Sequence, residues 1–591
     1  MPTDTMRNAK IVCTLGPASQ DRETIRGLAD AGMTVARINA SHGERDDRRA
    51  LIDRIRQVDR AVEKPVATML DLQGPEVRTA PIDEPIHLET GSEVRFVEGE
   101  TATPDEIGLS VGIAAVDPGD RVLLDDGRIE TSVERVLDET VVAHVDAGGK
   151  LGSRKGVNVP GVDLGLDVVT EKDHRDLALA VEEAVDFVAA SFVRDGEDVL
   201  TVSGVIEDRG GDVPIIAKIE RADAVENLDG IVDTAYGVMV ARGDLGVECP
   251  LEDVPLVQKR IIRRCQRAGV PVITATEMLD SMVDQRRPTR AEASDVANAV
   301  LDGTDAVMLS GETAIGDHPV RVVETMDRIV RKIESSIEYE EIIEQRVPPS
   351  EGASTDATAR SARYLARDVD ADAVVVASES GYTALKTVKF RPGVPVVAAT
   401  PSDRVRRQLA VSWGVNAQYA DFGSGGPAGV IENAVSAALD SGLVESGDTV
   451  IVLSGTMTGV AQSTTNTLKV HVAAEALGHG RGVVSGRAVG PIVSVPSGDL
   501  GEIPDGAILA LDEEFDGEFQ GDTRRVGGIV HARTGVTGYP AIVAREIGVP
   551  MASGIDLDGT VDAGETVTLD GDRGVVYAGD IRHREAGRER Q

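Results

Sequence analysis

The sequence predicts an α/β protein whose largest part is an eightfold β/α barrel. The first observation is a set of eight short apolar runs: Lys10–Gly16, Val35–Asn39, Val66–Leu72, Phe187–Phe192, Ile215–Glu220, Val238–Asp244, Val272–Thr276 and Ala306–Glu312. Most are separated by amphipathic stretches of helical period, and this alternation is the sequence form of a barrel of parallel strands. The second observation is a break in that rhythm. Between Thr79 and about Leu164 the pattern turns to alternation, with turn signals at Asp117-Pro118-Gly119-Asp120 and Asp125-Asp126-Gly127, which reads as a small all-β insertion after the third strand. The third is a second α/β series beyond the Pro348-Pro349-Ser350-Glu351-Gly352 linker, with strands expected at Ala373–Ala377, Val394–Ala398, Asn416–Ala420 and Thr449–Leu453. The glycine-rich stretch Gly478 to Gly486 reads as a hinge before about a hundred further residues.

Composition narrows the class of protein. The chain has 591 residues, 41% of them apolar, enough for several buried cores. Its formal net charge is −39, and only 11 of its 61 basic residues are lysine. A field this negative argues against nucleic acid or an anionic membrane as partner. The regular apolar segments exclude an acidic disordered chain. A strongly hydrated, lysine-poor surface suits a very salty cytoplasm, where at molar salt the Debye length is about 3 Å and self-repulsion is screened. Cys13, Cys249 and Cys265 lack metal-ligand spacing and fit a reducing compartment. The first ten residues are too polar for a signal peptide, and no apolar run reaches the length of a membrane helix. The expectation is a soluble cytoplasmic protein.

Candidate chemistry concentrates where barrel strands give way to loops, the end at which such barrels build active sites. Glu220 closes Ile216-Ala217-Lys218-Ile219-Glu220, and Asp244 lies in Val240-Ala241-Arg242-Gly243-Asp244-Leu245-Gly246. Two carboxylates with few other ligands nearby suit Mg²⁺, which keeps water and substrate oxygens in its shell. Lys218 stands two residues before Glu220, on the same face of a strand, where its charge can hold an anion and stabilise charge that develops in reaction. Taken singly, Lys-x-Glu is as good a surface ion pair and Gly-Asp as good a turn.

Longer motifs decide between these readings. The stretch from Pro288 through Asp302 to Glu312 resembles the same region of pyruvate kinases. So do Val213 to Asp223, Ala36-Arg37-Ile38-Asn39-Ala40-Ser41-His42-Gly43 and Asp71-Leu72-Gln73-Gly74-Pro75-Glu76-Val77-Arg78-Thr79. The resemblance covers residues 7 to 473. It implies a barrel catalytic domain (1–78 and 166–345), a β-barrel lid domain (79–165) and an α/β regulatory domain (350–473). Residues 487–580 resemble the swivelling domain of phosphoenolpyruvate-utilising enzymes, with Tyr539 at the place of the phosphate-carrying histidine. Tyrosine lacks the nucleophilic imidazole, and His531 does not align with that place, so a structural or modulatory appendage is expected.

The resemblance implies phosphoryl transfer from phosphoenolpyruvate to ADP, giving pyruvate and ATP. Glu220 and Asp244 match the ligands of Mg²⁺ (or Mn²⁺). Lys218 matches the lysine at the transferring phosphoryl group and Arg37 the arginine that binds the phosphate, for which a forked guanidinium is well shaped. The N–H groups of Gly243 and Asp244 match the binders of the substrate carboxylate, and Thr276 a threonine near the methylene carbon. Thr14, Pro17, Asn39, His42, Arg78 and Lys172 match positions that meet the nucleotide. Asn39, Ser41, Asp71 and the Leu72 carbonyl match a K⁺ site. Ser310 and Glu312 read as buttresses. Ser378, Ser380, Gly381 and Thr383 form a predicted pocket for a phosphorylated effector, with Ser454, Thr456 and Thr458 as its other wall. A homotetramer is carried over from the family. Leu72, Gln73 and Gly165 depart from its common residues without removing a charged group. Two rival readings are another metal-dependent barrel enzyme of pyruvate enolate chemistry and an inactive metabolite sensor.

Overall fold

The apolar runs close into a barrel because each is buried on both faces, which is why they read as continuous rather than alternating. The computed structural model describes residues 7–423, 426–455, 465–557 and 559–581. Its first eight-membered sheet has strands β1 (Lys10–Leu15), β2 (Val35–Asn39), β3 (Ala67–Asp71), β4 (Phe187–Ala190), β5 (Ile215–Ile219), β6 (Gly237–Ala241), β7 (Val272–Ala275) and β8 (Ala306–Leu309). They are parallel and follow one another around a closed ring, with β8 returning to pair with β1. Val12, Val35, Met69, Phe187, Ile216, Met239, Ile273 and Met308 fill the interior. Helices return between strands, and several start at reciprocal caps that satisfy otherwise orphaned N–H groups, as at Thr170 with Asp173 and Thr289 with Glu292.

Seven of the eight strands end one to three residues earlier than their apolar runs, and β2 ends where its run does. The difference reaches three residues at Ala306–Glu312, where the strand stops at Leu309, and at Val238–Asp244, where it stops at Ala241 and Arg242–Glu248 is a helix. Asp244 therefore sits in the first turn of a helix, not at a strand tip.

The insertion is antiparallel in the main. Its seven-stranded sheet runs from Val77–Arg78 to Glu106–Leu109, and the two edges meet through the Thr79–Leu109 bridge and an N–H of Ala80 on the Gly108 carbonyl at 2.8 Å. Its core holds Val94, Phe96, Val122, Leu124, Val133 and Val141. Both predicted turns are present: Asp125, Asp126 and Gly127 all have positive φ, at 52°, 57° and 78°.

Contacts divide the chain into two compact units: residues 1–360, 378–391 and 402–417 in one, and 361–377, 392–401 and 418–591 in the other. The first contains the barrel and the insertion. It also contains the segments that carry Arg391 and Arg407, which pair with barrel residues Asp305 at 3.1 Å and Asp186 at 2.8 Å.

The second unit holds two sheets. One orders Val415–Tyr419, Val396–Thr400, Ala373–Ala377, Thr449–Gly455 and Thr465–Val472, the last strand antiparallel to its neighbour. The other has eight strands, including Arg487–Ser494, Ala507–Leu511 and Val526–His531. The expected hinge at Gly478–Gly486 is instead two edge strands of this sheet, Ala476–His479 and Arg481–Val484. The glycines are there for close approach. A Cβ on Gly480 would lie 2.3 Å from the Ser553 carbonyl oxygen, and one on Gly482 would lie 2.2 Å from that of Gly571. No helix among the described residues is long and apolar enough to cross a membrane.

His471, half-buried on the strand Thr465–Val472, gives this unit an acid sensitivity. Burial, with Lys469, Arg573 and His479 adding, pulls its imidazole down to about 4 from 6.5. The unfolded chain thus binds the proton more readily than the fold between those values. Stability is full above pH 6.5 and is lost as pH falls toward 4. With partial exposure discounted, the loss amounts to about 1–2 kcal/mol. Denaturant midpoints measured from pH 4 to 7 are expected to fall less steeply in His471→Gln than in the parent.

Candidate active site

The C-terminal ends of β2, β3 and β5 bring together four charged groups, and β1 adds Thr14. Arg37, on β2, donates from Nε to Asp71 Oδ2 at 2.5 Å and from a terminal nitrogen to Thr14 Oγ1 at 2.8 Å. Asp71 is Asn39's partner in the β2–β3 register and is 1% exposed. Lys218 Nζ lies 3.4 Å from Asp71 Oδ1 and 2.6 Å from Glu220 Oε1, so the Lys-x-Glu spacing does place both side chains together. Glu220 accepts the N–H of Phe192 at 2.7 Å.

Electrostatics follows from burial. Burial alone destabilises the Lys218 ammonium, but Asp71, Glu220 and Asp244 outweigh it and keep Lys218 protonated. Burial likewise works against an ionised Asp71, and Arg37 and Lys218 reverse this to hold its carboxyl below the ordinary range. Glu220 goes the other way: burial raises it, Lys218 opposes, and Asp244 adds to the rise. Three carboxylates thus face two cations, and added positive charge there would be stabilising.

Across the site, Gly243 donates its N–H to Thr276 Oγ1 at 2.8 Å, and the Thr276 hydroxyl donates to the Ala275 carbonyl at 2.7 Å. Thr276 has φ +65°, a strained conformation for a β-branched residue. Arg242 holds it there, donating to the carbonyls of Ala275 at 3.0 Å and Thr276 at 2.7 Å while pairing with Asp295 at 2.7 Å.

The other predicted residues stand in the segments after β1, β2 and β3, in the helix Glu171–Glu182 and after β8. Ser41 N–H caps Asn39 Oδ1 at 3.0 Å. Lys172 pairs with Asp176 at 2.9 Å and donates to the Ala40 carbonyl, while Arg48 pairs with the same Asp176 at 2.7 Å and donates to the Gly43 carbonyl at 2.8 Å. Together they fix the loop that carries Ser41 and the exposed His42. Arg78 binds Glu76 at 2.7 Å. Pro17 is exposed. Glu312 is a buttress, accepting the N–H groups of Leu279 at 3.0 Å and Ser310 at 2.6 Å. A cavity of about 80 Å³ between insertion and barrel is lined by Glu76, Asn158, Phe192, Arg194, Arg221 and Asp244. Among the described residues no cluster of three or more His, Cys, Asp or Glu is arranged to hold a metal, so any cation at Glu220 and Asp244 must complete its shell with other oxygens.

Sequence reasoning missed Ser191, Phe192, Arg242 and Arg48. Ser191 accepts from Lys218 at 2.7 Å and donates to the Leu72 carbonyl at 2.8 Å. Phe192 has φ +57°, which turns its N–H toward Glu220. In the distant segments, Ser378 and Thr383 are buried, Ser380 is exposed, and Gly381 caps the helix Tyr382–Val388 with φ +79°. Ser454 pairs with Ala377 in the sheet, and Thr456 and Thr458 lie outside the described residues. Tyr539 opens the helix Tyr539–Ile547, and its hydroxyl accepts the Phe519 N–H at 3.1 Å. His531 is 7% exposed and unavailable as a substitute phosphate carrier.

A closed β/α barrel with an inserted β domain and a lysine–carboxylate site at its C-terminal end defines a class of barrel enzymes acting on anionic substrates. Family models single out one member of that class. The pyruvate kinase barrel domain matches residues 6–323, the pyruvate kinase alpha/beta domain 356–471, and the mobile domain of PEP-utilising enzymes 503–574. Curated relatives agree. The pyruvate kinases of Bacillus licheniformis and Geobacillus stearothermophilus are 40% and 41% identical, each over 97% of this chain and 99% of the relative. That of Sporosarcina psychrophila is 41% identical with the same coverage. The chain belongs to the pyruvate kinase family and is an enzyme, a phosphotransferase.

Proposed function

We propose that the chain transfers the phosphoryl group of phosphoenolpyruvate to ADP at this site. The observation that carries the reading is Lys218, kept cationic between Glu220 and Asp71 with Arg37 on the other side of Asp71. Arg37 and Lys218 hold the phosphoryl group. The bond from phosphorus to the enol oxygen breaks, a bond to a β-phosphate oxygen of ADP forms, and Lys218 neutralises charge on the enolate left behind. The substrate carboxylate takes the N–H groups of Gly243 and Asp244 at the start of their helix. That exchange frees Thr276 from Gly243, and its hydroxyl then relays the proton, with water, to the methylene carbon.

The donor set fits the implied cations. Glu220 and Asp244 are hard oxygen ligands in a site with surplus negative charge, suited to Mg²⁺ or Mn²⁺. An ion held by Glu220 and Asp244 would supply positive charge to offset that of the reacting oxygens. Asn39, Ser41, Asp71 and the Leu72 carbonyl offer oxygen ligands at adjacent strand ends for K⁺. Thr14, Pro17, Asn39, His42, Arg78 and Lys172 face the nucleotide. The domain bounds 1–78 with 166–345, 79–165, 350–473 and 487–580 belong to the same reading. So do a phosphorylated effector at Ser378, Ser380, Gly381 and Thr383, a homotetramer, and a salty cytoplasm. A coupled assay for ATP formed from phosphoenolpyruvate and ADP in high KCl tests the whole; no ATP from folded protein would end it.

The C-terminal appendage is expected to be dispensable for chemistry, because Tyr539 cannot carry phosphate. The cut belongs before Ala476, since a cut after Gly486 strands two edge strands of the last sheet. It uncovers Val472 and Ala474, which pack on Val575 and Tyr577, so some loss of stability is expected. A folded truncation is expected to keep turnover within a factor of about three of the parent. Complete loss would make the appendage catalytic.

A further inference from the structure

We propose that Ser191 is a positioning residue that couples the monovalent-cation site to Lys218, an inference that rests on the K⁺ assignment above. Ser191 follows β4, between β3 and β5 in the ring, and is 3% exposed. Its oxygen accepts a proton of Lys218 at 2.7 Å. A hydroxyl has one proton to give. Here that proton goes to the Leu72 carbonyl at 2.8 Å, and the other acceptor in reach, Asp71 Oδ1, is at 3.5 Å. The same Asp71 oxygen is 3.4 Å from Lys218 Nζ. One hydroxyl therefore joins a carbonyl of the cation site to the ammonium that meets the phosphoryl group.

The two acceptors give this hydroxyl two settings. Without a cation, Ser191 points at Leu72, and Asp71 Oδ1 attracts Lys218 unopposed. A cation on the Leu72 carbonyl repels the hydrogen aimed at that oxygen. The hydroxyl turns to Asp71 Oδ1, which, itself among the cation's proposed ligands, shares its remaining charge with the new hydrogen bond and further relaxes its hold on Lys218. The ammonium then presents more of its charge to the substrate. Cation occupancy is thus converted into the placement of a charge several bonds away, without a backbone movement.

The test uses the full-length protein with KCl exchanged for tetramethylammonium chloride at constant ionic strength. Two quantities are read: the ratio of turnover with and without K⁺, and the affinity for Tl⁺ by thallium NMR, with Tl⁺ standing in for K⁺. Ser191→Ala is expected to bind Tl⁺ within a factor of about three of the parent, while its turnover ratio falls about tenfold or more through loss of a hydrogen bond to a charged group. Ser191→Thr, which keeps the hydroxyl, is expected to retain the ratio even at a lower absolute rate, and it decides the matter if the alanine variant does not fold. An alanine variant with the parental ratio overturns the coupling. So does one whose Tl⁺ affinity falls in step with its rate, and so does a folded threonine variant that loses the ratio. A parent that neither binds Tl⁺ nor responds to K⁺ overturns the cation assignment itself.

Discussion

Lys218→Met is expected to lower turnover by about 10²–10³, the usual cost of removing one preorganised stabiliser of developing charge. Methionine keeps the length and the packing of the stem and removes only the ammonium. The fold should survive, because neither carboxylate is left without partners. Asp71 keeps Arg37 at 2.5 Å, and Glu220 keeps the Phe192 N–H at 2.7 Å. Glu220 can also take up a proton, since burial already pushes its carboxyl upward. Circular dichroism and the melting temperature check the fold, and single-turnover ATP formation checks the chemistry. Glu220→Gln is expected to behave differently, raising the Mg²⁺ concentration needed for half-maximal rate. A Lys218→Met enzyme within a factor of about three of the parent would mean that another group meets the phosphoryl oxygen.

The barrel was legible because parallel strands buried on both faces leave unbroken apolar runs, and all eight appear where such runs stand. Lys218 and Glu220 were legible because period two puts them on one face, and their 2.6 Å pairing follows from that. What the sequence hid came from closure of the ring. Ser191 lies in Ala189-Ala190-Ser191-Phe192, with no spacing that links it to Lys218 or Leu72. It meets both only because β4 sits between β3 and β5. Positive φ at Phe192 and Thr276 leaves no mark in residue type, since neither is Gly, Asn or Asp. Arg242 reads as part of a glycine-aspartate turn until its guanidinium is seen clamping the carbonyls that hold Thr276. The glycines at 478–486 misled for the opposite reason. Glycine marks both flexible joints and tight backbone approaches, and only the pairing partners distinguish the two.

Exchanging K⁺ for tetramethylammonium at constant ionic strength is expected to lower turnover at least about tenfold, through loss of a local charge that water cannot replace in a low-dielectric site. The proposed requirement for K⁺ rests on Glu76. It sits where the barrel meets the insertion, and Gly156 leaves it room: a Cβ there would lie 3.3 Å from Glu76 Oε1. Burial raises its carboxyl, Arg78 opposes this through bonds of 2.7 and 3.0 Å from its guanidinium, and Asp244 adds to the rise. The Arg78 charge is thereby engaged by Glu76, and the surplus of carboxylates at Asp71, Glu220 and Asp244 remains for an added cation to offset. Glu76→Lys reverses the sign at this point. The variant is expected to work without K⁺, because the ammonium supplies internally what the ion supplied from solution. Its cost should fall on nucleotide affinity, since the introduced ammonium repels Arg78 where the parent carboxylate held it. Steady-state rates in the two salts, with the nucleotide KM measured in each, separate these effects. Constant ionic strength matters because a net charge of −39 makes the whole fold salt-sensitive. Full activity of the folded parent without K⁺ would remove the site, and a Glu76→Lys enzyme that still needs K⁺ would show that the ion acts through its ligands rather than through its charge.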